Sequence, residues 1–193
     1  MTTLSPTAII LVTGPARSGK SEWAENLATR LGQQFNQPII YMATAQEEPQ
    51  DLEWQARLEK HRQRRPPHWQ TLLVPTDLSA SLFEVIPPGI VLVDSLGTWV
   101  ANLLILEDDQ WQYQQQQLIF TLQKLTLTVI LVAEETGWGV VPAYPLGRLF
   151  RDRLGYLTRQ VGAIADQVYL VTGGYALNLS QLGEQLEAPQ PQP

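Results

Sequence analysis

The chain contains no cysteine among its 193 residues. That excludes disulfides, iron–sulfur clusters, zinc–thiolate sites and a thiol nucleophile. Positive charge is also short: 13 lysines and arginines face 19 aspartates and glutamates, a net charge of −6. An acidic chain is a poor candidate for non-specific binding to nucleic acid or to an anionic membrane. No apolar run approaches the roughly 20 residues that span a bilayer as a helix. The opening MTTLSPTAIILVTG has no basic region ahead of its apolar stretch, unlike a secretory signal. The expected setting is therefore cytoplasmic. Hydrophobic residues make up 44%, enough for a core, so disorder of the whole chain is excluded. The length fits one domain over 1–180, with a disordered tail over 181–193.

Apolar runs bounded by turn residues alternate with helical periodicity. Strands are predicted at Ala8–Thr13, Pro38–Ala43, Trp69–Val74, Ile90–Val93, Leu127–Ala133 and Gln167–Val171, and an antiparallel seventh at Tyr175–Leu179. Helices are predicted at Lys20–Leu31, Gln50–Arg64, Gly97–Leu106, Gln110–Leu125 and Leu146–Ala165. The runs IILV, IVLV and VILV read as strands buried on both faces. The expectation is an α/β fold, a mostly parallel sheet covered on both sides.

Residues 14–21 read GPARSGKS, a complete G-x-x-x-x-G-K-[ST] phosphate loop between a buried strand and a helix. Gly14, Pro15, Ala16, Arg17, Ser18 and Gly19 would wrap the phosphates, with backbone N–H groups and the helix N-terminus supplying positive potential. Lys20 would reach the β- and γ-phosphates, and the Ser21 hydroxyl would ligate Mg²⁺. The fold class is then a P-loop NTPase, RecA-like in outline. Asp94, at the end of IVLV, suits the acid that completes the metal site, though Asp is also a good helix N-cap. Ser95 or Gly97 serves the turn that follows. Glu134 and Glu135 end the strand at 127–133, where ligands bind in such sheets.

The cations are gathered into three segments: the phosphate loop, Arg57–Arg65 and Arg148–Arg159. Three such clusters in an acidic chain point to phosphate handling rather than to ordinary solvated helix faces. Both histidines, His61 and His68, lie in RLEKHRQRRPPHW. Neighbouring guanidiniums disfavour a second positive charge, which would leave His61 neutral and nucleophilic. Arg57, Arg62 and Arg65 could hold phosphate oxygens. His68 reads as structural.

Together these motifs resemble the bifunctional adenosylcobinamide kinase/adenosylcobinamide-phosphate guanylyltransferase family (CobU/CobP type). The resemblance rests on GPARSGKS, on YMATA at Tyr41–Ala45 and on a D-x-E-x-x-x-R-[IL]-x-x-H pattern over Asp51, Glu53, Arg57, Leu58 and His61. Arg65, Pro66 and Trp69, VLVDSLGTWVANLL, ETGWGVVP and RLFRDRLG complete it. Pro15 stands where a second glycine is usual, Glu134 where asparagine is common, and Thr158–Arg159 where Asn-Gln is common. The resemblance implies two reactions. ATP or GTP phosphorylates adenosylcobinamide, and GTP then gives GMP to adenosylcobinamide phosphate through a histidine that matches His61. It also implies a homo-oligomer, with a trimer as the suggested assembly. His61 would have to reach a different phosphorus from the first step, so its helix moves or the nucleotide binds in two poses. Trp138 and Tyr144 could line the corrin site or pack in the core. Two other readings remain open here: a plain P-loop small-molecule kinase, and a non-catalytic RecA-like nucleotide-binding module that controls assembly.

Overall fold

The structure is a computed structural model that describes residues 5–46, 50, 55–56, 59, 63–139 and 141–187. Seven strands form one sheet: β1 (Ala8–Gly14), β2 (Ile39–Ala43), β3 (Gln70–Leu73), β4 (Ile90–Asp94), β5 (Thr128–Glu134), β6 (Gln167–Thr172) and β7 (Tyr175–Asn178). Their order is β3-β2-β4-β5-β1-β6-β7, all parallel except the antiparallel β6–β7 edge pair. Around it lie the helices α1 (Lys20–Phe35), α2 (Leu78–Phe83), α3 (Leu96–Asn102), α4 (Asp108–Lys124), α5 (Pro145–Ile164) and α6 (Leu179–Leu182), besides the helical residues described between 55 and 64.

The central strands explain the two-sided burial. Alternate residues of a strand point to opposite faces. Ile10, Val12, Leu92 and Ile130 join the core under α1, while Leu11, Val91, Val93 and Leu131 join the core under α3, α4 and α5. No polar alternation survives because neither face meets water.

Two sequence expectations change. Helix α2 is an addition; at six residues it is too short for a periodic signal. The tail expected from residue 181 joins the fold through Glu187. Leu179–Leu182 is helical, Gln185 Nε2 donates to the Ala163 carbonyl at 3.0 Å, and Arg159 reaches the Glu187 carbonyl at 3.4 Å. Within the Arg148–Arg159 segment the side chains have different partners. Arg153 is buried and donates to the carbonyls of Leu103 and Leu106 and to Asp108, with its guanidinium 5.3 Å from the Trp111 ring centre. It closes the C-terminus of α3 onto the start of α4, satisfying carbonyls that a helix end leaves open. Arg148 donates to the Pro142 and Ala143 carbonyls, and Arg151 pairs with Asp152.

Of the helix expected at Gln50–Arg64, residues 55, 56, 59, 63 and 64 are described and helical. His61, Arg57 and Arg62 lie outside the described residues.

Candidate nucleotide site at the C-terminal edge of the sheet

β1 runs straight into the phosphate loop, and α1 starts at Lys20. Gly19 immediately precedes α1 with φ +89°, a left-handed backbone that side chains disfavour. Arg17, at φ 60°, adopts the same region. Pro15 is accommodated because its carbonyl, not its missing N–H, is used: it accepts from Ser18 N at 3.3 Å and from Lys20 Nζ at 3.4 Å. Lys20 is only 5% exposed. Its ammonium is thus held inside the curl of backbone where phosphate oxygens would lie.

β4 delivers Asp94 to the same place. Ser21 Oγ donates to Asp94 Oδ1 at 3.1 Å, and Tyr41 OH donates to Oδ2 at 2.8 Å. The helix cap is Ser95, whose side chain accepts from Thr98 N. Asp94 is therefore not the cap. The β4–α3 turn is fixed by Thr44, which donates to the Ser95 carbonyl at 2.8 Å and accepts from Ser95 N at 2.9 Å.

β5 lies between β1 and β4 and places two more carboxylates beside the loop. Glu135 N donates to the Gly14 carbonyl at 2.9 Å, and its Oε1 accepts from Thr13 Oγ1 at 2.6 Å. Glu134 Oε1 accepts from Ser95 Oγ at 2.8 Å, while Oε2 is buried without a hydrogen-bond partner among the described residues. Burial pushes the Glu134 carboxyl above its usual range, against the charge of Lys20 and the Ser95 hydrogen bond, which pull it down. Burial and the Asp94 charge likewise push Tyr41 well up, so its phenol stays a donor to Asp94.

Glu134 has room only because residue 97 is glycine. A Cβ there would lie 1.9 Å from Glu134 Oε2 and 2.8 Å from its Cδ. Gly97→Ala is expected to dislodge Glu134 from Ser95 and to lower stability by about 1–3 kcal/mol, the usual range for overpacking. Thermal unfolding of the purified variant checks this; an unchanged midpoint would show that Glu134 can turn away without loss.

The basic segment is tied down at its described end. Arg64 pairs with buried Glu25 of α1 at 3.1 Å. Arg65 lies 4.2 Å over the Tyr41 ring and donates to Thr71 Oγ1 at 3.1 Å. Of the arginines expected to hold nucleotide, Arg65 thus stands beside the Tyr41–Asp94 pair. His68 is exposed in the turn before β3, and Trp138 and Tyr144 are exposed as well, which removes the core reading of both. Tyr41 and Thr13 went unassigned in the sequence. Tyr41 lay inside the conspicuous YMATA, but its role depends on β2 pairing with β4.

Among the described residues no three His, Asp or Glu gather as a metal centre, and no helix is long and apolar enough to cross a membrane. A phosphate loop closing β1, an acid at the end of β4 and β5 inserted between them define a P-loop protein with a RecA-like sheet. A solved ATPase domain has the same fold, at 11% identity and TM-score 0.51, over 86% of this chain and 70% of that one. Residues 10–179 match the family described as cobinamide kinase / cobinamide phosphate guanyltransferase. The bifunctional adenosylcobalamin biosynthesis protein CobU of Escherichia coli (strain K12) is 38% identical, over 89% of this chain and 99% of that protein. Its counterpart CobP of Pseudomonas aeruginosa is 39% identical, over 88% and 95%. The chain belongs to this cobinamide kinase / cobinamide phosphate guanyltransferase family, and is an enzyme of it.

Proposed function

We propose that the protein phosphorylates the aminopropanol hydroxyl of adenosylcobinamide with ATP or GTP. It then transfers GMP from GTP to the new phosphate, giving adenosylcobinamide-GDP. The observation that carries this reading is the meeting of Lys20, Ser21, Asp94 and Glu135 at one edge of the sheet. The family, described as cobinamide kinase / cobinamide phosphate guanyltransferase, supplies the substrate.

In the kinase step the loop and Lys20 bind the triphosphate and offset charge moving toward the leaving oxygen. Mg²⁺ suits Ser21 and Asp94. One hydroxyl and one carboxylate, 3.1 Å apart, leave room for the phosphate oxygens and waters this ion prefers. When bound it would neutralise phosphate charge. Glu135, anchored by Thr13, orients the attacking hydroxyl. In the transfer step His61 attacks the α-phosphorus of GTP. The bond to the β-phosphate oxygen breaks and pyrophosphate leaves. An oxygen of adenosylcobinamide phosphate then attacks the same phosphorus, and the P–N electron pair returns to the imidazole. Arg57, Arg62 and Arg65 steady the phosphates; Arg65 beside Tyr41 supports that part. The reading places the enzyme in the cytoplasm, where triphosphates are plentiful, as a homo-oligomer for which the family resemblance suggests a trimer.

The test is incubation of the protein with Mg²⁺, adenosylcobinamide and α-³²P-GTP, followed by denaturing electrophoresis and analysis of the corrinoid products. An acid-labile, base-stable label on the chain and labelled adenosylcobinamide-GDP are expected. Phosphorylated corrinoid with no labelled protein would leave a plain kinase.

A further inference from the structure

A cavity of about 680 Å³ opens between α5 and the segment from Leu179 to Leu186. That size falls within the range of small-ligand sites, about 300–1,000 Å³. Its inner end is formed by Thr13, Glu134, Glu135 and Thr136, the residues that border the phosphate loop. Leu11 and Val168, register partners on β1 and β6, also line it. Arg151, Arg159, Glu184 and Gln185 give it a polar rim.

The helix wall carries two glycines, Gly155 and Gly162. Glycine is the poorest helix former after proline, so Gly155 in the middle and Gly162 in the last turn of a 20-residue helix call for a cause. Packing within the chain supplies none. A Cβ at Gly155 would meet nothing within 4 Å, and one at Gly162 only Leu11 Cδ2 at 3.7 Å, an ordinary contact. Both positions keep the cavity wide. Thr158 lines the same wall, and its Oγ1 is buried without a hydrogen-bond partner among the described residues.

We propose that this cavity receives the acceptor corrinoid, taking the amide-linked arm that ends in the aminopropanol hydroxyl and an edge of the ring. The inference rests on the activity proposed above and adds the place where the acceptor binds. Three features carry it. The inner end abuts the phosphate loop through Glu135, whose N–H is bonded to the Gly14 carbonyl, so a hydroxyl arriving there lies beside the loop. The apolar lining suits the ring edge. The rim of charged and amide side chains, with the unpartnered Thr158 hydroxyl, suits the amides on the corrin periphery.

Gly155→Leu tests this, because it projects a bulky side chain from the cavity wall and its Cβ meets nothing within 4 Å. It is expected to raise KM for adenosylcobinamide in the kinase reaction by about tenfold or more. The Kd for ATP and GTP, the GMP labelling of the chain and the molecular mass should not change, and the thermal midpoint should hold or rise because leucine is the better helix former. Thr158→Val should raise the same KM by about threefold, the scale of one lost hydrogen bond. An unchanged KM in both variants would overturn the proposal. Weakened nucleotide binding with KM unaltered would assign the cavity to the nucleotide instead, and a changed molecular mass would assign it to a second copy of the chain. Retention of the coloured corrinoid on ultrafiltration separates this proposal from the activity it rests on. Binding to wild type that is lost in Gly155→Leu supports the site even without turnover, whereas wild type that neither binds nor phosphorylates the corrinoid sinks both.

Discussion

In His61→Ala, guanylyl transfer is expected to fall by at least about 10³-fold, while phosphorylation of adenosylcobinamide stays within about threefold of wild type. The asymmetry is the point. The proposed kinase step uses the phosphate loop, Asp94 and Glu135, which Thr13, Gly14, Ser21 and Tyr41 hold in place. The transfer step needs a nucleophile that accepts GMP and releases it. Alanine offers none, and a direct attack by one phosphate on another must overcome the repulsion of two anions in a single displacement. A loss of 10³ corresponds to about 4 kcal/mol in the barrier. Separate assays of the two half-reactions, with γ- and α-labelled GTP, check this. Equal losses in both would make His61 a residue of nucleotide binding or structure.

Lys20→Met is expected to abolish both activities together, each by about 10²–10³-fold, the usual cost of one preorganised donor at a developing anion. Methionine keeps the unbranched shape of the side chain and is one atom shorter, so packing changes little. What disappears is a positive charge in a nearly closed position, 5% exposed. Two consequences follow. The triphosphate loses a partner for the charge that grows on its leaving oxygen. Glu134 also loses the largest influence that favours its charged form, since Lys20 opposes the effect of burial there. Its carboxyl then moves further up, toward the neutral state. Parallel kcat measurements for the two steps should show matching losses, in contrast to the split in His61→Ala. A variant that keeps either activity near wild type would remove Lys20 from the chemistry of that step.

Much of this architecture was legible in the residue order, and the limits have physical causes. β1, β4 and β5 are apolar on both faces, so their runs stand out without any partner being known. The phosphate loop is local: eight consecutive residues contain everything the backbone needs to turn there. Asp94 was legible for the same reason, as the residue that ends an apolar run. β3 is an edge strand with exposed residues at three of its four positions, so its apolar pattern blurs and its ends fall one residue inside the expected ones. The partners of Asp94, by contrast, are set by strand order. Ser21 and Tyr41 meet it because β2 and β4 are neighbours and α1 packs over β4. Arg153 misled for a related reason. A run of cations in this chain reads as phosphate handling, and only the position of the α3–α4 junction reveals that Arg153 is buried against carbonyls and Trp111. Gly97 has no local turn or positive φ to announce it; its cause is a side chain on another strand.

The strand order also bears on how long the chain survives. The hydrogen bonds that draw the edge together join residues 73 positions apart, Ser21 to Asp94, and 122 apart, Thr13 to Glu135. An unfolded chain holds no trace of such a constellation, so a triphosphate that binds there binds the native state alone. At a hundred times its Kd the ligand adds about 2.7 kcal/mol to the free energy of unfolding. Where triphosphate is abundant, the ligand-free protein is the scarce form. The same occupancy that prepares the chemistry then makes global opening about a hundredfold rarer, and with it exposure of the backbone to proteases.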